Sequence, residues 1–296
     1  MWLPWQDAAW LGLALAVTAI GLHIRTPSKR WIWVRELAQE SAIFAILYAT
    51  WQRVGALSTG DTTHAVARGK DIVAFEHALH FPSEVWTQHL ALHSHLLIRG
   101  ANWYYIVGHA PVMGVFLVWL YVRHRSDFAR WRTALAVGCI VGELIQIIPV
   151  APPRLTLGGI VDTAQVYGPG AYDADGAGFA PQLAAMPSLH CVWAITTGVA
   201  IFVVAKSRWR WIGLVHAGVT VLVVVITGNH YWSDAIAGAA LVFLGLAVHD
   251  GATRLWRVRR PSEAPRLADR MISPHPELVG AESALDQGVP ADGSTR

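Results

Sequence analysis

Two histidines enter long apolar runs from polar loops. His190 closes Ala185-Met186-Pro187-Ser188-Leu189-His190, and His230 stands within Gly228-Asn229-His230-Tyr231-Trp232-Ser233-Asp234. Asp234 lies four residues beyond His230, one helical turn away and on the same face. A carboxylate so placed can accept from one ring nitrogen, fix the tautomer and leave the other nitrogen free to attack. Two imidazoles, one of them oriented, form a minimal kit for passing a group from donor to acceptor. A third polar position is Pro152-Pro153-Arg154-Leu155, where prolines end a helix and leave a guanidinium at its exit. The planar fork of arginine suits a phosphate through paired charge-assisted hydrogen bonds. Pro187-Ser188 in turn supplies a helix start with open N–H groups and a hydroxyl, an anion-binding arrangement.

Each of these has a plainer reading. Arg154 could be a snorkelling arginine, Pro187-Ser188 a simple cap beside an incidental histidine, and His230–Asp234 a polar pair near headgroups. An aspartate opening an apolar helix costs about 2–3 kcal/mol near a bilayer centre and less at its edge, which argues for a purpose. Three independent loops carrying such residues toward one predicted face argue for a shared one.

The elements that must position them are apolar. Hydrophobic residues make up 54% of the 296 and charged residues only 15%, against roughly 25% charged in soluble domains. Seven apolar runs, about 8–24, 37–57, 101–122, 131–150, 189–205, 209–227 and 232–248, approach the length that crosses a bilayer. An all-α polytopic membrane helix bundle follows. A net charge of +3 gives no case for nucleic acid, because the basic residues fall in short clusters between runs. Arg25, Lys29, Arg30 and Arg35 follow the first run; Arg123, Arg125, Arg130 and Arg132 follow the third. Lys206, Arg208 and Arg210 follow the fifth; Arg254, Arg257, Arg259 and Arg260 follow the seventh. Every second connection is basic, so the positive-inside rule places the N-terminus outside, the C-terminus in the cytoplasm and the candidate chemistry on the outer face of a cell membrane.

The connections carry further expectations. Residues 58–100 hold Phe75, Leu79, Trp86 and Leu90 among polar residues, which predicts amphipathic helices on the outer surface. His89 and His93 have metal-binding spacing, but no HExxH or cysteine partner accompanies them, so no metal is expected. Residues 151–186, with Asp162, Asp173, Asp175 and many glycines, read as a binding loop or lid. Tryptophans near the run ends, Trp10, Trp103, Trp131 and Trp209 among them, read as an interfacial belt. Cys139 and Cys191 read as buried thiols, and Glu143 as an intramembrane acid paired with a site group or a polar neighbour. The first residues lack a basic stretch, so no cleavable signal is expected. Residues 1–250 form the membrane domain, and 251–296, Pro- and Ser-rich, a disordered cytoplasmic tail.

The P-S-L-H and H-Y-x-x-D elements, with P-P-R at the preceding helix end, resemble the type 2 phosphatidic acid phosphatase superfamily, and within it the branch of inositol phosphorylceramide and sphingomyelin synthases. The likeness covers roughly 101–248. It implies a six-helix core, about 36–249, with the first run as an extra N-terminal transmembrane helix, and an enzyme that needs no cofactor. It implies His230 as a nucleophile forming a phosphohistidine, Asp234 orienting it, His190 protonating the leaving group, and Arg154 and Ser188 holding phosphoryl oxygens. The substrate implied is a phospholipid or lipid phosphate, with water or a polyol such as inositol as acceptor. The chain departs from the ordinary phosphatases, which carry K-x6-R-P and an S-R pair: Ile147, Leu155, Val223 and Val224 stand at those positions. Two cationic phosphate ligands are thus missing, as they are in the transferase-like branch. Two other readings remain: a membrane serine hydrolase using Ser188, which lacks a G-x-S-x-G elbow, and a non-enzymatic transporter or scaffold.

Overall fold

The computed structural model describes residues 3–24, 29–57, 62–170 and 182–259. Among them the regular structure is helical, joined by one isolated parallel bridge between Val150 and Ala184. The helices are α1 (Trp5–Ile24), α2 (Lys29–Leu57), α3 (Thr62–Ala78), α4 (Glu84–Leu92) and α5 (His95–Trp103). A π-helical turn at Tyr104–Gly108 leads into α6 (His109–Arg123), followed by α7 (Arg125–Gln146) and two short helices, α8 (Pro153–Thr156) and α9 (Thr163–Tyr167). The chain then forms α10 (Leu189–Val204), α11 (Trp211–Ile226) and α12 (Trp232–Arg259). Met1–Gly251 is one compact unit; a second begins at Ala252, and its described part, to residue 259, continues in helix. Residues 171–181, with Asp173 and Asp175, and the expected tail beyond 259 lie outside the described residues.

Three helical stretches are long and apolar enough to cross a membrane outright: Trp5–Ile24, Arg208–Ile226 and Trp232–Val258. The pair His95–Gly108 and Pro111–Arg123, bent by 46°, makes a fourth if read as one broken span, and α10 is a shorter apolar helix. This is consistent with a multi-pass membrane protein. The outward faces agree: Val115, Val118 and Val122, at i, i+3 and i+7 on α6, are all more than 60% exposed, a stripe suited to lipid.

The interior is packed between α6, α7, α10 and α12 by Leu120, Phe128, Leu135, Val192 and Val242. Trp131, expected in the aromatic belt, is instead 2% exposed in this core. Position near a run end reports depth along the helix but not which way the helix faces, and Trp131 belongs to the core shared by α6, α7, α10 and α12. Trp10, Trp103 and Trp209 are exposed. Across the end of the bundle that holds these α6 and α7 residues, Arg125 pairs with Glu36, Arg132 with Glu40, and Arg130 with Asp250 at 2.8 Å. Both cysteines are buried and free. Glu143 accepts from Thr50 Oγ1 on α2 at 2.6 Å, so its partner is a polar neighbour.

Candidate active site

Three connections meet at the opposite end of the bundle, where α7 and α11 finish and α10 and α12 begin. Proline runs at Pro149 and Pro152-Pro153 stop α7 and turn the chain. The bridge follows: Val150 N–H donates to Leu183 O (2.7 Å) and Ala185 N–H to Val150 O (3.1 Å), so the Arg154 segment and the His190 segment run side by side. Gln146, the last residue of α7, donates from Nε2 to Pro187 O at 2.8 Å and holds the entry to α10. Ser188 caps that helix, its Oγ accepting from Cys191 N–H at 3.3 Å. The third connection leaves α11 at Gly228, whose φ of +71° favours glycine and whose carbonyl accepts the Arg154 N–H at 3.0 Å. A Cβ there would also lie 2.9 Å from Ile160 Cγ2.

These segments bring four of the expected residues together. The rings of His190 and His230 lie 5.8 Å apart, centroid to centroid. His230 Nδ1 stands 2.7 Å from Ala185 O and 3.1 Å from Asp234 Oδ2. Both neighbours are acceptors, so Nδ1 carries the proton and Nε2 is left as the basic nitrogen. Burial pushes His230 down to about 4, with the Ala185 bond opposing and the Arg154 charge adding to the shift, so the ring is neutral at physiological pH. Asp234 is fully buried and also takes the Tyr231 N–H at 2.9 Å. The Arg154 side chain is only 3% exposed; it donates to Asn229 Oδ1 at 2.6 Å and lies 3.4 Å from Asp162 Oδ2. Arg154, His190, His230, Asn229, Gln146 and Tyr105 are among the residues lining one cleft, with about 60 Å³ of free volume. Ser188 is placed differently: it is fully buried, its oxygen is taken up by the cap, and it is not among the described lining residues.

The family model described as the PAP2 superfamily matches residues 70–248, which includes every residue of this cleft except Trp51. The chain belongs to the PAP2 superfamily. Neither the curated proteins nor the solved structures give a match. Membership makes phosphatase-type phosphoryl transfer the class of chemistry to consider.

Val223 and Val224 are buried, and Val224 contributes its carbonyl, which accepts from the N–H groups of Asn229 and His230. Ile147 is 43% exposed. Among the described lining residues, Arg154 is therefore the permanent cation, and Asp162 offsets part of its charge.

Several residues around the cleft carry no sequence signal of their own. The π-helical turn sets Tyr105 against His190, ring centroids 4.4 Å apart, with His109 at 4.9 Å. Gln88, fully buried on α4, donates to Val161 O and Ile226 O and accepts from Val161 N–H, tying α4 to the turn between α8 and α9 and to the end of α11. On α3, Arg68 donates to Pro149 O at 2.8 Å. Gly69 lets the helix touch Tyr231 and Thr156, whose hydroxyls would lie 2.6 Å from an added Cβ. The helices of the 62–92 segment thus brace the segments that form the cleft. Their stripe pattern predicts amphipathic helices, but their partners are far away in sequence. Among the described residues no group of three or more His, Cys, Asp or Glu side chains is arranged to hold a metal.

Proposed function

We propose that the chain transfers a phosphoryl or phospho-headgroup group from a membrane lipid to water or an alcohol, through a phosphohistidine on His230. The observation that carries this reading is the meeting of a neutral, tautomer-fixed imidazole, a second imidazole 5.8 Å away and a guanidinium in one cleft. In the first half-reaction, His230 Nε2 forms a bond to phosphorus as the bond to the leaving oxygen breaks, and His190, which takes up a proton when the anionic substrate binds beside it, gives that proton to the oxygen and is left neutral. In the second, His190 takes a proton from the incoming water or alcohol, whose oxygen displaces phosphorus from His230. Arg154 holds the non-bridging oxygens, and charge stabilisation of this kind carries most of the rate enhancement in phosphoryl transfer. Ser188 supports the phosphate at one remove, by fixing the first turn of α10.

Charge favours one substrate class. A phosphomonoester brings about two negative charges and a phosphodiester one. Among the described lining residues the permanent cation is one arginine partly neutralised by Asp162, which matches the diester better, so headgroup transfer to an alcohol such as inositol is favoured over simple phosphatase action. The six-helix core with α1 added, the resemblance to the sphingolipid-synthase branch and the outward-facing cleft belong to the same proposal. The basic clusters at Arg123–Arg132 and Lys206–Arg210 sit at the bundle end away from the cleft, which supports an outer-leaflet site. The buried, capped Ser188 weighs against a serine hydrolase.

The test offers purified protein phosphatidic acid and a phosphodiester lipid, each with and without inositol, and follows released phosphate and transferred headgroup. Turnover of the diester, raised by inositol and lost in His230→Ala, is expected. No turnover of either lipid would overturn the proposal and favour a transporter or scaffold, and turnover indifferent to His230→Ala in a variant that still inserts would overturn the role given to His230.

A further inference from the structure

Trp51, near the end of α2, lines the cleft from outside the matched segment 70–248. The turn that carries it is pinned on both sides. Thr50 Oγ1 donates to Glu143 Oε2 on α7 at 2.6 Å, and Glu143 is 4% exposed. The Tyr48 hydroxyl donates to Leu3 O at 3.1 Å and Gln52 Nε2 to the same carbonyl at 2.8 Å. The chain entering α1 therefore holds α2 at positions just before and just after Trp51. The Tyr48 ring also lies 6.0 Å from the Trp51 ring, centroid to centroid. Further along, α1 approaches α2 so closely that a Cβ at Gly12 would lie 2.9 Å from Ile46 Cγ1. A buried carboxyl within an apolar helix is costly, and the bond that Glu143 accepts comes from the residue next to Trp51.

We propose that Trp51 determines specificity for the acceptor: its indole is one wall of a subsite for a ring polyol, and α1 and Glu143 hold that wall in place. The assignment rests on the reading of the cleft as a site of phospho-headgroup transfer to an alcohol. The phosphoryl oxygens take Arg154, and the histidines take the reacting atoms. Much of the remaining lining is aromatic or uncharged: Trp51 and Tyr105 supply rings, and Gln146 and Asn229 supply amides. A ring polyol has the same two characters, a face of C–H groups and a rim of hydroxyls. The indole suits the C–H face through burial and dispersion. Amides both donate and accept, which suits hydroxyls. A lipid acyl chain fits less well, because among the described lining residues Leu189 is the one aliphatic side chain larger than alanine. An uncharged acceptor also adds nothing to the charge that Arg154 must offset. Water is too small to depend on such a wall, so Trp51 separates transfer from hydrolysis.

The test compares wild type, Trp51→Ala, Trp51→Phe and Thr50→Val in one detergent, with kcat/KM measured separately for a phosphodiester lipid and for inositol. In a two-step transfer each value reports its own half-reaction. Trp51→Ala is expected to lower kcat/KM for inositol about tenfold, to hold kcat/KM for the lipid within about twofold, and to shift product from transfer toward hydrolysis. Trp51→Phe keeps a ring and recovers the inositol value to within about threefold of wild type. Thr50→Val removes the bond to Glu143 and lowers the inositol value alone, by about threefold. Equal losses for lipid and inositol in Trp51→Ala, a loss confined to the lipid, an unchanged ratio of transfer to hydrolysis, or Trp51→Phe as impaired as Trp51→Ala would overturn the assignment. If wild type turns over no lipid, the catalytic reading fails by itself, and saturation-transfer NMR of inositol with the protein still decides the subsite. A signal in wild type that is lost in Trp51→Ala supports it; no signal in wild type, or an equal one in both, overturns it.

Discussion

Asp234→Asn separates the two services that the aspartate performs for His230. The Ala185 carbonyl, 2.7 Å from Nδ1, remains in the variant and keeps the proton on that nitrogen, so the tautomer survives. The loss is one of charge. As Nε2 bonds to phosphorus the ring becomes cationic, and the carboxylate 3.1 Å away would stabilise it through a charge-assisted hydrogen bond of about 1.5–3 kcal/mol. At about 1.4 kcal/mol per tenfold, that is roughly a 10- to 150-fold fall in kcat. KM should change little, because the ring is neutral before attack. Where an aspartate alone sets the tautomer, the same substitution costs about 10⁴-fold. The assay is steady-state turnover of the lipid substrate in one detergent, with thermal unfolding as the check on folding. A loss below about threefold, a loss expressed in KM, or a loss near 10⁴-fold would each refute the division of labour between Ala185 and Asp234.

Three further outcomes follow from the geometry. Gly228→Ala forces a side chain into a positive-φ position against Ile160 and should destabilise the protein by about 1–3 kcal/mol, read as a lower thermal midpoint. Ser188→Ala removes a helix cap worth about 1 kcal/mol, yet should keep activity within about tenfold, and a serine-directed fluorophosphonate should leave wild type unlabelled at Ser188. Burial raises Glu84 in the folded protein from its ordinary 4.5 to about 8, so its stabilising contribution is full below the lower value and lost as pH rises through the upper one. The thermal midpoint should therefore decline across that window in wild type and be flatter in Glu84→Gln.

How much of this was legible in the sequence depended on whether a residue's role was local. Helical character was legible because the apolar runs are long, and α10 and α12 begin at their expected residues, Leu189 and Trp232. His190, His230, Asp234 and Arg154 stood out because each is a polar residue at the mouth of such a run. The spacing of His230 and Asp234 is itself a helical contact. Ser188 was visible for the same reason, but its hydroxyl could be placed only as a cap or a ligand until its bond to Cys191 was seen. Glu76, Gln88 and Tyr105 were not legible. Glu76 meets Ser233 across 157 residues and Gln88 meets Val161 across 73, and no local pattern encodes such pairings. The π-helical turn that aims Tyr105 at His190 has no sequence signature either. Trp131 was misplaced because a run end fixes depth but not facing.

The central claim is that phosphorus passes through the free nitrogen of His230. The most direct measurement is rapid acid-free quenching of the protein with a lipid labelled at phosphorus, followed by peptide mapping of the bound label. The account predicts an acid-labile, base-stable phosphoryl adduct on the peptide holding His230, absent from His230→Ala and chased by acceptor. Label on Ser188, or sustained turnover with no covalent adduct at any quench time, would contradict it.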